Sequence, residues 1–215
     1  ALLEGQTVDE RLQRRAGRAE RPRHVDVAVA ILLEQASGAD RSDDIAGEMF
    51  TFLADEIEQY RSKFGKMTPG ILPVTGNVAF GKEVGALPSG RLAWKPLADG
   101  LSPSAGTDLE GPTSVMKSVS KIPHSRFVQG TLLNMKVEPD LVATDNGKIQ
   151  MMALLKSMCT LGIHHMQFNV ISREKLLEAQ KNPEEHRGLL IRVAGYTAYF
   201  VELDKEIQDD IISRT

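Results

Sequence analysis

Apolar positions recur at helical spacing in two long stretches. Residues 42–62 (SDDIAGEMFTFLADEIEQYRS) carry Ile45, Met49, Phe52, Ile57 and Tyr60 near a 3.6-residue period, which predicts an amphipathic helix. Ser42 is its N-cap candidate. Asp43 and Asp44 set carboxylates at the positive helix end, and Gly65 marks the finish. Residues 148–161 (KIQMMALLKSMCTL) predict a second helix, closed by Gly162. Met152, Leu155 and Cys159 fall at i, i+3 and i+7 there, a stripe expected to face the core. Pro112 suits the first position of a shorter helix over 112–120. Residues 173–180 and 183–187 read as short helices. Asn182 is placed to cap the second, with Pro183 and Glu185 close to a capping box. A last helix begins near Asp204.

Alternation marks the strands. In 163–171 (IHHMQFNVI), His165, Gln167 and Asn169 share one face, and His164, Met166, Phe168 and Val170 the other. LLIRV (189–193) and YTAYFV (196–201) predict two strands joined by a turn at Ala194-Gly195. Pro69-Gly70 is a turn signal before ILPVT, whose Pro73 restricts that strand to an edge or an irregular run. By period two, Leu72 and Val74 share a face, opposite Ile71, Pro73 and Thr75. Residues 85–112 are rich in Gly and Pro and predict a long loop, with Trp94 expected to anchor it to the body. Residues 11–23 hold six arginines and read as a solvated arm. Residues 24–36 are a short apolar run that suits a helix or a strand equally.

Composition narrows the class. In 215 residues, 26 Lys+Arg face 29 Asp+Glu for a net charge of −3, and 41% are hydrophobic. That is an ordinary globular balance, with no polybasic surface for nucleic acid or membrane. No apolar run approaches the ~18 residues of a bilayer span. The start, Ala1-Leu2-Leu3, has no initiator Met, so a processed chain or a piece of a longer one is expected. A lone cysteine, Cys159, allows no internal disulfide and implies a reducing, cytoplasmic setting. Its apolar neighbours point to an inert core thiol. There is no P-loop, HExxH or GxSxG pattern. His164 and His165 are adjacent, so one strand turns them to opposite faces, and no metal site is expected.

Arg192-Val193-Ala194-Gly195-Tyr196 remains, between two apolar strands. Its plain reading is a hairpin in which Gly195 supplies φ > 0. Flanks this apolar also suit a loop buried in a larger body. A buried glycine has one use no other residue shares: loss of a Cα hydrogen gives a planar radical, spread over the adjoining amide and carbonyl. A side chain would hinder both planarity and access.

RVAGY, followed by QDDIISRT (208–215), resembles the radical segment of the glycyl radical enzymes, the superfamily of pyruvate formate-lyase and the radical diol dehydratases. GALPSGR (85–91), PLADGLSP (96–103), GTDLEGPTSVMKSV (106–119) and HMQFNV (165–170) resemble its C-terminal region in the same order. The likeness runs through 68–215 and more weakly through SDDIAGEMF (42–50).

The resemblance implies an α/β fold: the C-terminal part of a large β/α barrel (1–94) followed by a glycyl-radical domain (95–215). It implies that Gly195 stores a radical installed by a separate activating enzyme with an iron–sulfur cluster and S-adenosylmethionine, so this chain itself binds no cofactor. The family's thiyl cysteine has no match here. The chain is therefore expected to need the remainder of the enzyme and to be inactive alone, with a sticky surface. TPGILPVTGNV and GALPSGR look most like the diol dehydratase branch, which implies a small-molecule substrate such as glycerol or 1,2-propanediol. Leu72 and Val74 are then candidates to line the pocket, and a homodimer is expected. The alternatives are a formate acetyltransferase-type or other radical lyase or decarboxylase, a non-catalytic spare part that carries only the radical, and an α/β domain with an ordinary hairpin.

Overall fold

The computed structural model describes residues 40–72, 75–87, 90–104 and 106–214. The expectations for 11–36, and for Val74, lie outside these residues.

The first helix, α1 (Asp40–Glu58), forms where expected but begins earlier, so Ser42 sits within its first turn rather than capping it. A small hairpin follows, β1 (Arg61–Ser62) with antiparallel β2 (Gly65–Lys66), so Gly65 serves that hairpin. Within ILPVT, Ile71 forms a parallel bridge with Thr131, and α2 (Gly76–Gly81) follows. The long Gly/Pro loop leads to α3 (Pro112–Val119), with Pro112 at the first helical position behind Gly111. Then come β3 (Leu133–Val137), α4 (Pro139–Ala143), α5 (Asp145–Thr160) and β4 (Met166–Val170). β3 and β4 pair in parallel, Leu133 against Met166 through Val137 against Val170, with α4 and α5 as their crossover. α6 (Arg173–Lys181) is capped by the Ser172 side chain. Asn182 precedes a single 3₁₀ turn, Pro183–His186, without a side-chain capping bond. The chain closes with β5 (Leu190–Arg192), antiparallel β6 (Thr197–Tyr199) and α7 (Lys205–Arg214).

Among the described residues two large apolar cores form, beside a small cluster of Leu97 and Ala98. The first joins Ala46, Phe50 and Ala54 of α1 to Val115, Met116 and Val119 of α3 and to Leu133 and Met166. Phe50 meets Phe127 edge-on, ring centres 5.6 Å apart, the favoured aromatic geometry. The second gathers Leu176, Ile191, Val193, Phe200, Ile211 and Ile212. The β3–β4 pair shows the first core its apolar face, including Met135 and Phe168.

Two helix faces differ from expectation. In α1 the buried side is Ala46, Gly47, Phe50 and Ala54, and Tyr60 lies past the helix, exposed. Small residues win this face because α1 packs very close: a Cβ on Gly47 would lie 2.8 Å from the Lys121 carbonyl oxygen. In α5, Leu154 and Met158 pack on the core, as does Leu161 just past its end. Met152 is 63% exposed, and Leu155 and Cys159 are also exposed. Apolar residues nearly encircle this segment, so periodicity alone cannot choose its inner face. Trp94 is also no anchor. It is 66% exposed with φ +66°, and its N–H bonds the Val84 carbonyl. The Arg91 guanidinium ties the loop instead, donating to the Val84, Gly85 and Lys95 carbonyls.

Candidate functional site

Gly195 is the third residue of the four-residue turn Val193–Tyr196, which the Val193 N–H closes on the Tyr196 carbonyl at 2.9 Å. Its φ is +80°, the sign a type II turn needs at that place. Val193 and Ala194 are buried while Gly195 itself is exposed. A Cβ built on it would meet nothing within 4 Å. Space therefore does not demand glycine here, but backbone conformation does.

The turn is held from below by the polar face of β3 and β4. Gln167 and Asn169 share a strand face, and Asn134 is the register partner of Gln167. Asn169 grips Arg192 like a strand neighbour: Nδ2 donates to its carbonyl at 2.7 Å and Oδ1 accepts its N–H at 3.0 Å. Gln167 is only 6% exposed. Its Oε1 accepts the Gly195 N–H at 3.1 Å and Arg192 Nε–H at 3.1 Å. Its Nε2 donates to the Val193 carbonyl at 3.3 Å and to Asn134 Oδ1.

Asn134 passes the network on, its Nδ2 donating to Asp99 and, at 3.4 Å, to the Val193 carbonyl. Asp99, 1% exposed, is paired with Arg214. Arg214 also bonds Asp210 at 2.9 Å, and Asp210 accepts from Asn77 Nδ2 at 3.2 Å. Burial raises the Asp210 pKa, the negative Asp99 adds to this, and Arg214 opposes it. Burial works against the Arg214 charge, but Asp99 and Asp210 hold its pKa above the ordinary value.

PLADGLSP supplies the Asp99 arm. Gly100 has φ +58°, and a Cβ there would lie 2.5 Å from the Leu132 carbonyl oxygen. Leu101 N–H bonds that carbonyl at 2.7 Å, and Ser102 Oγ accepts the Asn134 N–H at 3.0 Å. A cavity of about 380 Å³ lies alongside, lined in part by Asp99, Asn134, Asn169, Arg173 and Arg214.

The hairpin glycine and the Gln167–Asn169 face are thus brought together. Asn134, Asp99 and Arg214 escape sequence reasoning, although a lone Asn between apolar residues in TLLNMKV is a usable signal. Leu72 is 42% exposed, and its side chain lies over Gly130, 3.1 Å from where a Cβ there would stand. Among the described residues, no group of three or more His, Cys, Asp or Glu could hold a metal ion. No described helix is long and apolar enough to cross a membrane.

Comparison with known proteins bears on this geometry. A family model described as "Glycine radical" matches residues 97–201. The chain is 42% identical over 174 residues to the isethionate sulfite-lyase of Oleidesulfovibrio alaskensis, covering 76% of this chain and 21% of that protein. The B12-independent glycerol dehydratase of Clostridium butyricum superposes with a TM-score of 0.81 at 42% identity, over 87% of this chain and 24% of that one. A Roseburia inulinivorans structure described by 1,2-propanediol dehydration has a TM-score of 0.81 at 38% identity, over 99% of this chain and 26% of that one. The chain thus spans about a quarter or less of these relatives.

Proposed function

The chain belongs to the glycyl radical enzymes, whose C-terminal radical domain it matches, and on that premise we propose that Gly195 is the residue that stores the radical. The supporting observation is its place at a hairpin tip with φ +80°, an unobstructed Cα and a peptide N–H held by Gln167. In the proposed activation the Cα–H bond of Gly195 breaks homolytically. The hydrogen atom passes to a separate activating enzyme that uses an iron–sulfur cluster and S-adenosylmethionine. The unpaired electron stays on Cα, shared with the flanking amide nitrogen and carbonyl.

Catalysis then requires a cysteine elsewhere in a longer enzyme. Its thiol gives a hydrogen atom back to Gly195, and the thiyl left behind takes one from substrate to start elimination. In this reading residues 1–94 belong to the barrel and 95–215 to the radical domain, although the first core draws on both sides of that division. The activating enzyme, the remaining barrel and a second copy of the enzyme are its partners, in the cytoplasm.

The proposed reaction is a lyase reaction, dehydration of a small diol such as glycerol or 1,2-propanediol, with Leu72 and Val74 shaping the pocket. It is supported by the likeness to the two diol dehydratases. ILPVT also carries no arginine to clamp an anion. C–S cleavage of a small sulfonate is the second reading, favoured by 42% identity to the isethionate enzyme.

The test uses the full-length enzyme activated without oxygen. Electron paramagnetic resonance should show a glycyl doublet that Gly195→Ala abolishes. Air exposure of the activated protein should cut the chain at 195, releasing the residues that follow. A wild-type enzyme that stays silent after activation refutes the assignment. Turnover of glycerol and 1,2-propanediol against isethionate separates the two substrate readings.

A further inference from the structure

We infer that Asp99, Asn134 and Gln167 form a directional hydrogen-bond relay whose purpose is to hold a carbonyl oxygen, rather than an amide NH₂, against the peptide N–H of Gly195. The inference rests on the reading of Gly195 as the radical residue. The direction follows from donor and acceptor counts. An amide side chain can present either end, so Gln167 alone does not fix which atom meets Gly195. The N–H donors of Gly195 and Arg192 set the sense locally, and Asp99 reinforces it from a distance.

As the ionised partner of Arg214, the Asp99 carboxylate only accepts. Asn134 must therefore turn its Nδ2 toward Asp99 and its Oδ1 toward Gln167. Gln167 must then donate through Nε2, which leaves Oε1 for the Gly195 N–H. The surroundings agree with this sense. Arg192 Nε–H points at the same Oε1, and the Val193 carbonyl accepts from both Gln167 Nε2 and Asn134 Nδ2. Reversing Gln167 would set its NH₂ against two N–H donors and its oxygen against two oxygens. Each buried mismatch of that kind is costly.

The relay matters to a carbon radical because the electron spreads onto the adjoining amide nitrogen. A carbonyl oxygen accepting that N–H makes the nitrogen a better electron donor to the half-filled carbon orbital. It also restrains the peptide plane. Asp99, Asn134 and Gln167 touch neither substrate nor Cα in this reading; they are positioning residues.

Two variants alter the relay at opposite ends in the full-length, anaerobically activated enzyme. Gln167→Met removes the acceptor at Gly195. Asp99→Asn is nearly isosteric and remote from Gly195, and it removes the charge that reinforces the sense of the relay. The readouts are the hyperfine coupling of the exchangeable Gly195 amide hydrogen, by electron–nuclear double resonance in H₂O and D₂O, and the radical lifetime without substrate. Circular dichroism establishes that each variant is folded. Both variants should show a shifted or broadened amide coupling and a radical lost about tenfold faster, the scale of one hydrogen bond. Misfolding of one variant leaves the other to decide. Folded variants whose coupling and lifetime match the wild type overturn the relay alone, whereas absence of a doublet in the wild type overturns the Gly195 assignment itself.

Discussion

Gly195 and His124 are single residues whose surroundings dictate chemistry in opposite ways. At Gly195 the demand is conformational: φ is +80° and no atom crowds a Cβ, so Gly195→Ala should fold with a loss of about 1 kcal/mol. A melt should therefore separate a folded but radical-free variant from an unfolded one. His124 is buried, with Nε2 3.0 Å from the Val119 carbonyl and Nδ1 2.9 Å from Thr131 Oγ1. The carbonyl can only accept, so Nε2 carries the hydrogen and Nδ1 accepts from the Thr131 hydroxyl. Burial lowers the His124 pKa from its ordinary 6.5, the Val119 bond opposes this, and His164 adds to it. The unfolded chain thus binds this proton more readily than the folded one. Stability from His124 is complete above about 6.5 and is lost as pH falls from there toward the lower folded value. Denaturant titrations from pH 7.5 down to 5.5 should show that loss in the wild type, and His124→Gln should flatten it.

Elements are decided by how closely they approach. α1 lies against the Lys121 backbone through Gly47, and the Asp43 carboxylate accepts from Ser118 Oγ of α3 at 2.8 Å. Gly47→Ala improves helix propensity by about 1 kcal/mol but forces a methyl into backbone, where overpacking costs about 1–3 kcal/mol. Net destabilisation is expected, readable as a lower denaturant midpoint. A midpoint that rises would show that α1 can slide away. The parallel β3–β4 pair does the most for the site, because period two sends Met135 and Phe168 into the core and Asn134, Gln167 and Asn169 to the turn. A one-residue slip would exchange those faces and leave the glycine turn unsupported.

For the molecule as a whole, Arg214 fastens the last helix to the loop before α3 through Asp99, and to α2 through Asp210 and Asn77. Its side chain is one-fifth exposed. Removing one partner of a largely buried ion cluster leaves charge without compensation. Arg214→Met should therefore cost about 3 kcal/mol, measured by denaturant unfolding, and Arg214→Lys should recover part of it. Equal stability of Arg214→Met and wild type would show that the cluster contributes nothing net.

Local chemistry alone determined a good deal here. Glycine at 195 between two alternating strands, Pro112 at a helix start, Gly162 after a helix and the shared face of Gln167 and Asn169 are all consequences of backbone sterics and strand period, which neighbours in sequence carry. The ordered segments from PLADGLSP to RVAGY likewise announced the family. Tertiary structure decided which faces were inside. It turned α1 onto Ala46 and Gly47, left Trp94 and Cys159 in solvent, and put Asp99, Asn134 and Arg214 beneath the glycine turn. Those outcomes depend on distances between residues far apart along the chain, and on which of several apolar surfaces finds a partner, so no local pattern encodes them.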